Sequence, residues 1–206
     1  MGRTTRTLPE PGVMGHAERL FKKGCGVCET PWAWKARDGP HVGADMPLER
    51  LVEFSGGFPG TLIALDFIQE LPEDAIDCTK AALGKLKKGS TPAILFFHDA
   101  MIAAKIAQEV TGDIEVGYYP PILAELFMTK DGFTGLTSRK IRHYAVKFSP
   151  DKINRIKQFA ELGAQQNPKI KIWTYFEEEV AFRDWKMIDG LWKCGIGTIC
   201  VRADML

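Results

Sequence analysis

Residues 93–119 read AILFFHDAMIAAKIAQEVTGDIEVGYY, and this stretch decides the fold prediction. It begins with a continuous apolar run, Ala93 to Phe97, which is typical of a strand covered on both faces. A helical segment follows from about Ala100 to Val110, and Gly112-Asp113 then turns the chain into a second strand, Ile114 to Tyr119. Strand, helix and strand in this order predict a parallel βαβ unit.

The same alternation extends in both directions from this unit. Ser149-Pro150-Asp151 is a typical helix start, with Ser149 placed to cap the helix and Pro150 at its first position. The other predicted strands are Leu51 to Phe54, Tyr144 to Phe148, Ile170 to Phe176 and Thr198 to Val201. The other predicted helices are one with the apolar stripe Ala64, Leu65, Ile68 and Leu71, and further ones over Pro72 to Lys88, Ser149 to Asn167 and Glu177 to Trp192. This order predicts an α/β fold with a doubly wound, mostly parallel sheet of the Rossmann-like type.

Composition bounds the class of protein without naming a partner. In the chain of 206 residues, 45% are hydrophobic, which is enough for one sizeable core, and the net charge is only +1. No apolar run approaches the roughly 20 residues of a membrane helix. Five cysteines without dense spacing do not resemble a secreted disulfide framework, so we expect a cytoplasmic protein with no membrane partner. We divide the chain into an N-terminal arm, residues 1–47, and an α/β domain, residues 48–206.

A glycine-bearing turn lies between the predicted strand that ends at Phe54 and the predicted helix that begins near Thr61. It reads Ser55-Gly56-Gly57-Phe58-Pro59-Gly60-Thr61. Adjacent glycines let a backbone present several N–H groups to one anion, and the hydroxyls of Ser55 and Thr61 add donors. The turn is therefore a candidate phosphate site, and the alternative is a plain Gly-Pro loop.

The stretch Val52 to Gly57, followed by the helix predicted from Thr61, resembles the PP-loop of the adenine-nucleotide α-hydrolase superfamily. That superfamily includes ATP pyrophosphatases and phosphoadenosine-phosphosulfate reductases. The resemblance implies a PP-loop-type fold, ATP or a related adenine nucleotide as ligand and, in an enzyme, chemistry on ATP or a sulfonucleotide. Pro59 and Gly60 stand where the family has Asp and Ser, so a member that binds a nucleotide without cleaving it is a second form of the hypothesis.

The residues predicted to bind this nucleotide come from the turn, from a strand end and from a basic stretch. Between Arg139 and Ile172 nine basic residues stand against Asp151 and Glu161, a bias that attracts phosphate groups or marks a solvated helix face. The predicted set is Ser55, Gly56, Gly57, Gly60, Thr61, Asp99, Arg139, Lys140, Arg142 and Lys147.

The cysteines support a second hypothesis. Cys25 and Cys28 have the spacing of half a zinc site, and Cys194 and Cys200 could complete it if the ends of the chain meet. A redox or sulfur-transfer pair and structurally incidental thiols are the alternatives. With the basic stretch, the cysteines favour a zinc-stabilised binding or scaffold subunit of a nucleic-acid complex.

His98 and Asp99 follow the apolar run directly, at the carboxyl end of a predicted strand. Enzymes of the α/β class place working groups at such positions. The alternative is a polar pair that caps the next helix, with Asp99 as the N-cap. The sequence assigns no catalytic residue.

Overall fold

The computed structural model describes residues 4–6, 27–35, 39–42, 46–47, 50, 53, 57, 62–67, 84, 92–110, 114–176 and 185–202. The strands with defined bounds are Thr4–Arg6 (β1), Val27–Lys35 (β2), Gly39–Val42 (β3), Met46–Pro47 (β4), Leu62–Phe67 (β5), Ala93–Phe97 (β6), Ile114–Tyr118 (β7), His143–Lys147 (β8), Lys171–Phe176 (β9) and Thr198–Arg202 (β10). The α-helices with defined bounds are Ala100–Glu109 (α1), Ile122–Leu126 (α2), Lys130–Ser138 (α3), Ile153–Ala164 (α4) and Trp185–Lys193 (α5), and Pro150–Lys152 forms a 3₁₀ turn before α4.

The sheet is parallel and curls on itself. Strands β5 to β10 are neighbours in chain order, and each of these pairs is parallel. Strand β2 continues this sheet beside β5, and β1 pairs in parallel with both β2 and β10. The described strands therefore close into a ring of eight parallel strands, while β3 and β4 extend β2 as an antiparallel ribbon. A closed ring of eight parallel strands is the strand arrangement of a TIM barrel.

The predicted α/β class is confirmed, and the Rossmann-like sheet is wrong. A doubly wound sheet keeps two free edges and reverses its strand order at a switch point. Here neighbours in the sheet follow the chain, and the short strand β1 joins the two edges. Strands β1 to β4 come from the segment that we assigned to an N-terminal arm.

Two apolar layers lie on the two faces of the strands. The larger layer packs strand residues such as Leu95 and Val146 against helix residues such as Ile106 and Phe159. Among the residues that the structure describes, the smaller layer contains strand residues only, at alternate positions: Ala64, Ile94, Phe96, Ala145, Trp173 and Tyr175. Because it contains no helix residue, this layer fills the inside of the barrel. Gly117 on β7 makes room for it, since a Cβ there would overlap the ring of Phe96.

Several predicted elements are confirmed. Strands β6, β7 and β9 and helix α1 lie within one or two residues of the predicted bounds. The helix predicted from Ser149-Pro150 is present as the 3₁₀ turn and α4, but the Ser149 side chain makes no capping hydrogen bond.

The prediction around the glycine turn is wrong. The apolar residues Ala64 and Leu65 belong to strand β5, and Glu53, in the predicted strand, is helical. A continuous apolar run can be a buried strand or a helix, and periodicity alone does not separate them. The turn therefore precedes a strand and cannot be a PP-loop between a strand and a helix. Gly57 is an exposed turn residue, and Ser55, Gly56, Gly60 and Thr61 lie outside the described residues.

Candidate active site

An aspartate and a histidine meet at the carboxyl-terminal end of the barrel. Asp66 is the fifth residue of β5, and His98 directly follows the neighbouring strand β6. Their side chains are in contact, with 3.0 Å between Asp66 Oδ1 and His98 Nε2. Asp66 is fully buried, whereas 35% of the His98 side chain is exposed. In TIM barrels this end of the strands carries the active site.

The contact determines which nitrogen of His98 can react. A carboxylate accepts hydrogen bonds, so the Nε2–H group of His98 donates a hydrogen bond to Asp66, and a neutral ring keeps its lone pair on Nδ1. In the part of the chain that the structure describes, Nδ1 has no hydrogen-bond partner. A buried carboxylate that orients a half-buried imidazole is the arrangement of a general base.

Two tyrosines form an aromatic wall beside this pair. The ring of Tyr119, which follows β7, lies 4.7 Å from the ring of His98. On its other side, Tyr119 stacks on Tyr175 of β9 with 5.1 Å between the ring centres and an angle of 10°. Strand β8 runs between them and carries the small residue Ala145 inside the barrel, which leaves space for this stack. Phe96 and Trp173 close the interior below, with their rings edge to face at 5.0 Å.

Lys147 adds a positive charge at the same end of the barrel. It is the last residue of β8, it is exposed, and it is in register with Tyr175. A cation at the mouth of a barrel attracts an anionic ligand.

A second polar cluster occupies the opposite end of the barrel. His143, the first residue of β8, has Nε2 2.8 Å from Glu115 Oε2, and Lys171 Nζ donates to the same oxygen at 3.2 Å. Trp173 Nε1 donates to His143 Nδ1 at 2.8 Å. Because the indole can only donate, Nδ1 of His143 accepts and Nε2 carries the proton that is donated to Glu115.

Protonation in this cluster is set by burial and hydrogen bonding. The hydrogen bond from His143, together with Lys171, lowers the pKa of Glu115 to about 2. Burial lowers the pKa of His143, although Glu115 acts against this. The cluster therefore holds a neutral imidazole next to an ionised carboxylate. It lies at the amino-terminal end of the strands, the end associated with stability in TIM barrels.

The structure separates the predicted nucleotide-binding residues. Asp99 caps α1, since its carboxylate accepts from the backbone N–H groups of Met101 at 2.7 Å and Ile102 at 2.9 Å. Lys147 ends β8, whereas Arg139, Lys140 and Arg142 precede its first residue. A contact of any of these residues with an anion stays a prediction.

The cysteines are also placed only in part. Cys28 lies in β2 and Cys200 in β10, Cys194 is a free thiol, and Cys25 lies outside the described residues. Among the residues that the structure describes, no three His, Cys, Asp or Glu side chains are grouped to hold a metal ion. The zinc hypothesis has no support from them.

Asp66, Tyr119 and Tyr175 are site residues that the sequence analysis missed. The signal for Asp66 was a single carboxylate inside the apolar run Leu62 to Phe67, since a buried charge without a purpose is rare. The two tyrosines carry no comparable signal, because aromatic residues are frequent in strands.

Solved structures of TIM-barrel proteins are similar to this chain in fold. A glycerophosphodiester phosphodiesterase from Agrobacterium tumefaciens has a TM-score of 0.67 at 11% identity, over 100% of this chain and 97% of that chain. KGPDC from Streptococcus mutans has a TM-score of 0.63 at 11% identity, over 100% and 90%. An HpcH/HpaI aldolase from Desulfitobacterium hafniense has a TM-score of 0.64 at 9% identity, over 98% and 86%. No model of a known protein family and no curated protein matches the sequence.

These similarities correct the functional prediction. The fold is TIM-barrel-like, so the PP-loop resemblance is wrong, and ATP binding, sulfonucleotide chemistry and zinc have no support. A nucleic-acid partner has no support from these similarities either. Within the described residues, no helix combines the length and the apolar character needed to cross a membrane.

Proposed function

We propose that the chain is a hydrolase of small phosphodiesters, with its active site at the carboxyl-terminal mouth of the barrel. The contact between buried Asp66 and half-buried His98 carries this proposal, because it supplies an oriented base where TIM barrels perform chemistry. The fold similarity to a glycerophosphodiester phosphodiesterase over nearly the whole of both chains supports the choice of substrate.

The residues at the mouth take distinct roles in this reaction. Nδ1 of His98 removes a proton from water, the water oxygen attacks phosphorus, and the bond from phosphorus to the leaving alcohol oxygen breaks. The alcohol leaves with a proton, which protonated His98 can return to it. Asp66 holds the imidazole and stabilises its charged form, and Lys147 offsets the negative charge of the diester.

Hydrolysis of glycerophosphodiesters, measured by the release of glycerol 3-phosphate with and without added divalent cations, tests the proposal. A Gln side chain can replace Nε2 of His98 but has no atom in the place of Nδ1. We therefore expect His98→Gln to lower kcat by about 10²- to 10⁴-fold while the contact with Asp66 persists. Asp66→Asn should also lower kcat, because an amide cannot stabilise the imidazolium.

Glu161→Gln is the matched control, because it also converts a carboxylate to an amide but lies exposed on α4. It should keep the wild-type kcat. Absence of turnover with every glycerophosphodiester would contradict the choice of substrate. An unchanged kcat in His98→Gln would contradict the assignment of the base.

A further inference from the structure

Helix α2 exposes its apolar side chains and buries a charged one. The only buried residue among positions 121–127 is the charged Glu125. The large apolar residues of this segment face solvent, with exposed fractions of 66% for Ile122, 72% for Leu123, 60% for Leu126 and 79% for Phe127. At 100° per residue these four positions share one side of the helix, opposite Glu125. We call Ile122, Leu123, Leu126 and Phe127 the apolar rim.

The neighbouring residues hold α2 in this orientation. Glu125 Oε1 lies 3.0 Å from Nζ of Lys152, an ion pair that turns the carboxylate side of the helix inward. Arg155 donates to the carbonyl oxygens of Leu126 at 3.2 Å and Met128 at 2.7 Å, and its guanidinium lies 4.7 Å from the ring centre of Phe159. Contiguous exposed apolar patches mark sites of interaction with proteins or membranes.

The apolar rim lies at the mouth of the barrel. Helix α2 follows β7 after three residues, one of which is Tyr119 of the candidate active site. Met101, which is 60% exposed, lies in the first turn after the neighbouring strand β6 and adds an apolar group at the same end. Whatever contacts the rim therefore faces the open end of the barrel.

We propose that the apolar rim binds a lipid bilayer and holds the mouth of the barrel against its surface. The side chains of the rim then lie at the boundary of headgroups and acyl chains. A standard protein interface uses about 20–30 residues a side, far more than this single helical turn offers to a second copy. A bilayer surface needs no such extended partner, because the apolar face of an interfacial helix enters the boundary between headgroups and acyl chains directly.

The charge next to the rim fits this partner. Glu125 is neutralised by Lys152, and among the described residues Arg155 contacts no carboxylate, so its positive charge remains beneath the rim. A cation below an apolar surface favours lipids with anionic headgroups. The inference goes beyond the proposed hydrolase, because the bilayer contact does not depend on His98.

Co-sedimentation with phosphatidylcholine vesicles and with mixed phosphatidylcholine–phosphatidylglycerol vesicles tests the inference. We expect the wild type to bind both, and the mixed vesicles more tightly. Leu123→Ser combined with Phe127→Ser should weaken binding to both by about tenfold or more, because two of the inserted side chains become polar. The thermal unfolding midpoint should not change, since both positions are exposed.

The matched control is Ala164→Ser combined with Gln165→Ser, two exposed positions at the far end of α4, which should bind as the wild type does. His98→Gln should also bind normally, which separates a failure of docking from a failure of the proposed chemistry. Wild-type protein that remains in the supernatant would overturn the inference. So would a wild-type dimer that Leu123→Ser and Phe127→Ser convert to a monomer, because a second copy would then cover the rim.

Discussion

Glu115 and His143 differ in what they contribute when the pH changes, although they share one hydrogen bond. The folded protein lowers the pKa of Glu115 from 4.5 to about 2, so its stabilising effect is complete above pH 4.5 and is lost as the pH falls toward 2. Burial also lowers the pKa of His143 from 6.5, so the unfolded chain takes up a proton below that pH that the folded protein resists. Both groups make the folded state less stable in acid.

The variant Glu115→Gln separates the two contributions. Its amide oxygen can still accept from Nε2 of His143, but its charge is gone. We expect a lower free energy of unfolding at pH 7 and the loss of the decline that Glu115 itself contributes between pH 4.5 and 2. Because Glu115 raises the pKa of His143, the decline that begins below pH 6.5 should continue to lower pH in the variant than in the wild type. Urea unfolding at a series of pH values measures this, with Glu161→Gln as an exposed control. A profile parallel to the wild type down to the lowest pH would contradict the role of Glu115.

At the scale of the element, two helices end in the same way with different residues. Helix α3 ends with a bond from Ile141 N–H to Leu136 O at 3.0 Å, and α5 ends with the equivalent bond from Ile196 N–H to Leu191 O at 3.3 Å. The residue before each isoleucine has a positive φ, 62° at Lys140 and 89° at Gly195. This is the Schellman motif, in which glycine is the favoured residue.

Substitutions at the positive-φ residues of these two turns should change the free energy of unfolding in opposite directions. A left-handed conformation costs an L-residue about 1–2 kcal/mol, and the backbone freedom of glycine offsets part of the gain on its introduction. We expect Lys140→Gly to raise the free energy of unfolding by about 0.5–1 kcal/mol, and Gly195→Ala to lower it by about 1 kcal/mol. Chemical denaturation of the two variants is the measurement. Equal effects of the same sign would contradict the shared motif.

Sequence patterns predicted elements well where one structure alone fits the pattern. The run Ala93 to Phe97 is too short for a helix, and the amphipathic stretch after it is too long for a strand. The run Leu62 to Phe67 fits both, and the helical spacing of Ala64, Leu65, Ile68 and Leu71 led to the prediction of a helix, which is wrong. His98 was singled out because it directly follows a predicted strand. Its partner Asp66 was missed because it lies in strand β5, which was predicted as a helix.

At the scale of the whole molecule, the alternation of strands and helices does not distinguish a barrel from an open sheet. Both architectures use the same parallel βαβ unit and differ only in what lies beside the outermost strands. Here the three residues of β1 pair with Cys200 to Arg202 on one side and with Val27 to Glu29 on the other. A strand this short in the first ten residues has no periodicity to read, so closure could not be predicted.

Two similar histidine–carboxylate contacts lie at opposite ends of the closed barrel, and we expect them to have different roles. His98 and His143 each place Nε2 against a carboxylate, 3.0 Å from Asp66 and 2.8 Å from Glu115, but at opposite ends of the parallel strands. TIM barrels use the carboxyl-terminal end for chemistry and the amino-terminal end for stability. The same substitution, histidine to glutamine, keeps the Nε2 position and removes Nδ1 at both sites. At His98 that nitrogen is the proposed base, and at His143 it accepts from Trp173.

We therefore expect the two variants to fail in different assays. His143→Gln should lower the free energy of unfolding by about 1–3 kcal/mol, because the buried N–H of Trp173 loses its acceptor, and should keep kcat within about twofold. His98→Gln should lose turnover of glycerophosphodiesters and change the free energy of unfolding by less than about 1 kcal/mol, because Asp66 keeps a donor. Urea unfolding and turnover of glycerophosphodiesters, measured on both variants, test this expectation. If His143→Gln lost turnover while still folded, the two ends of the barrel would not divide chemistry from stability, and the site would extend through the barrel.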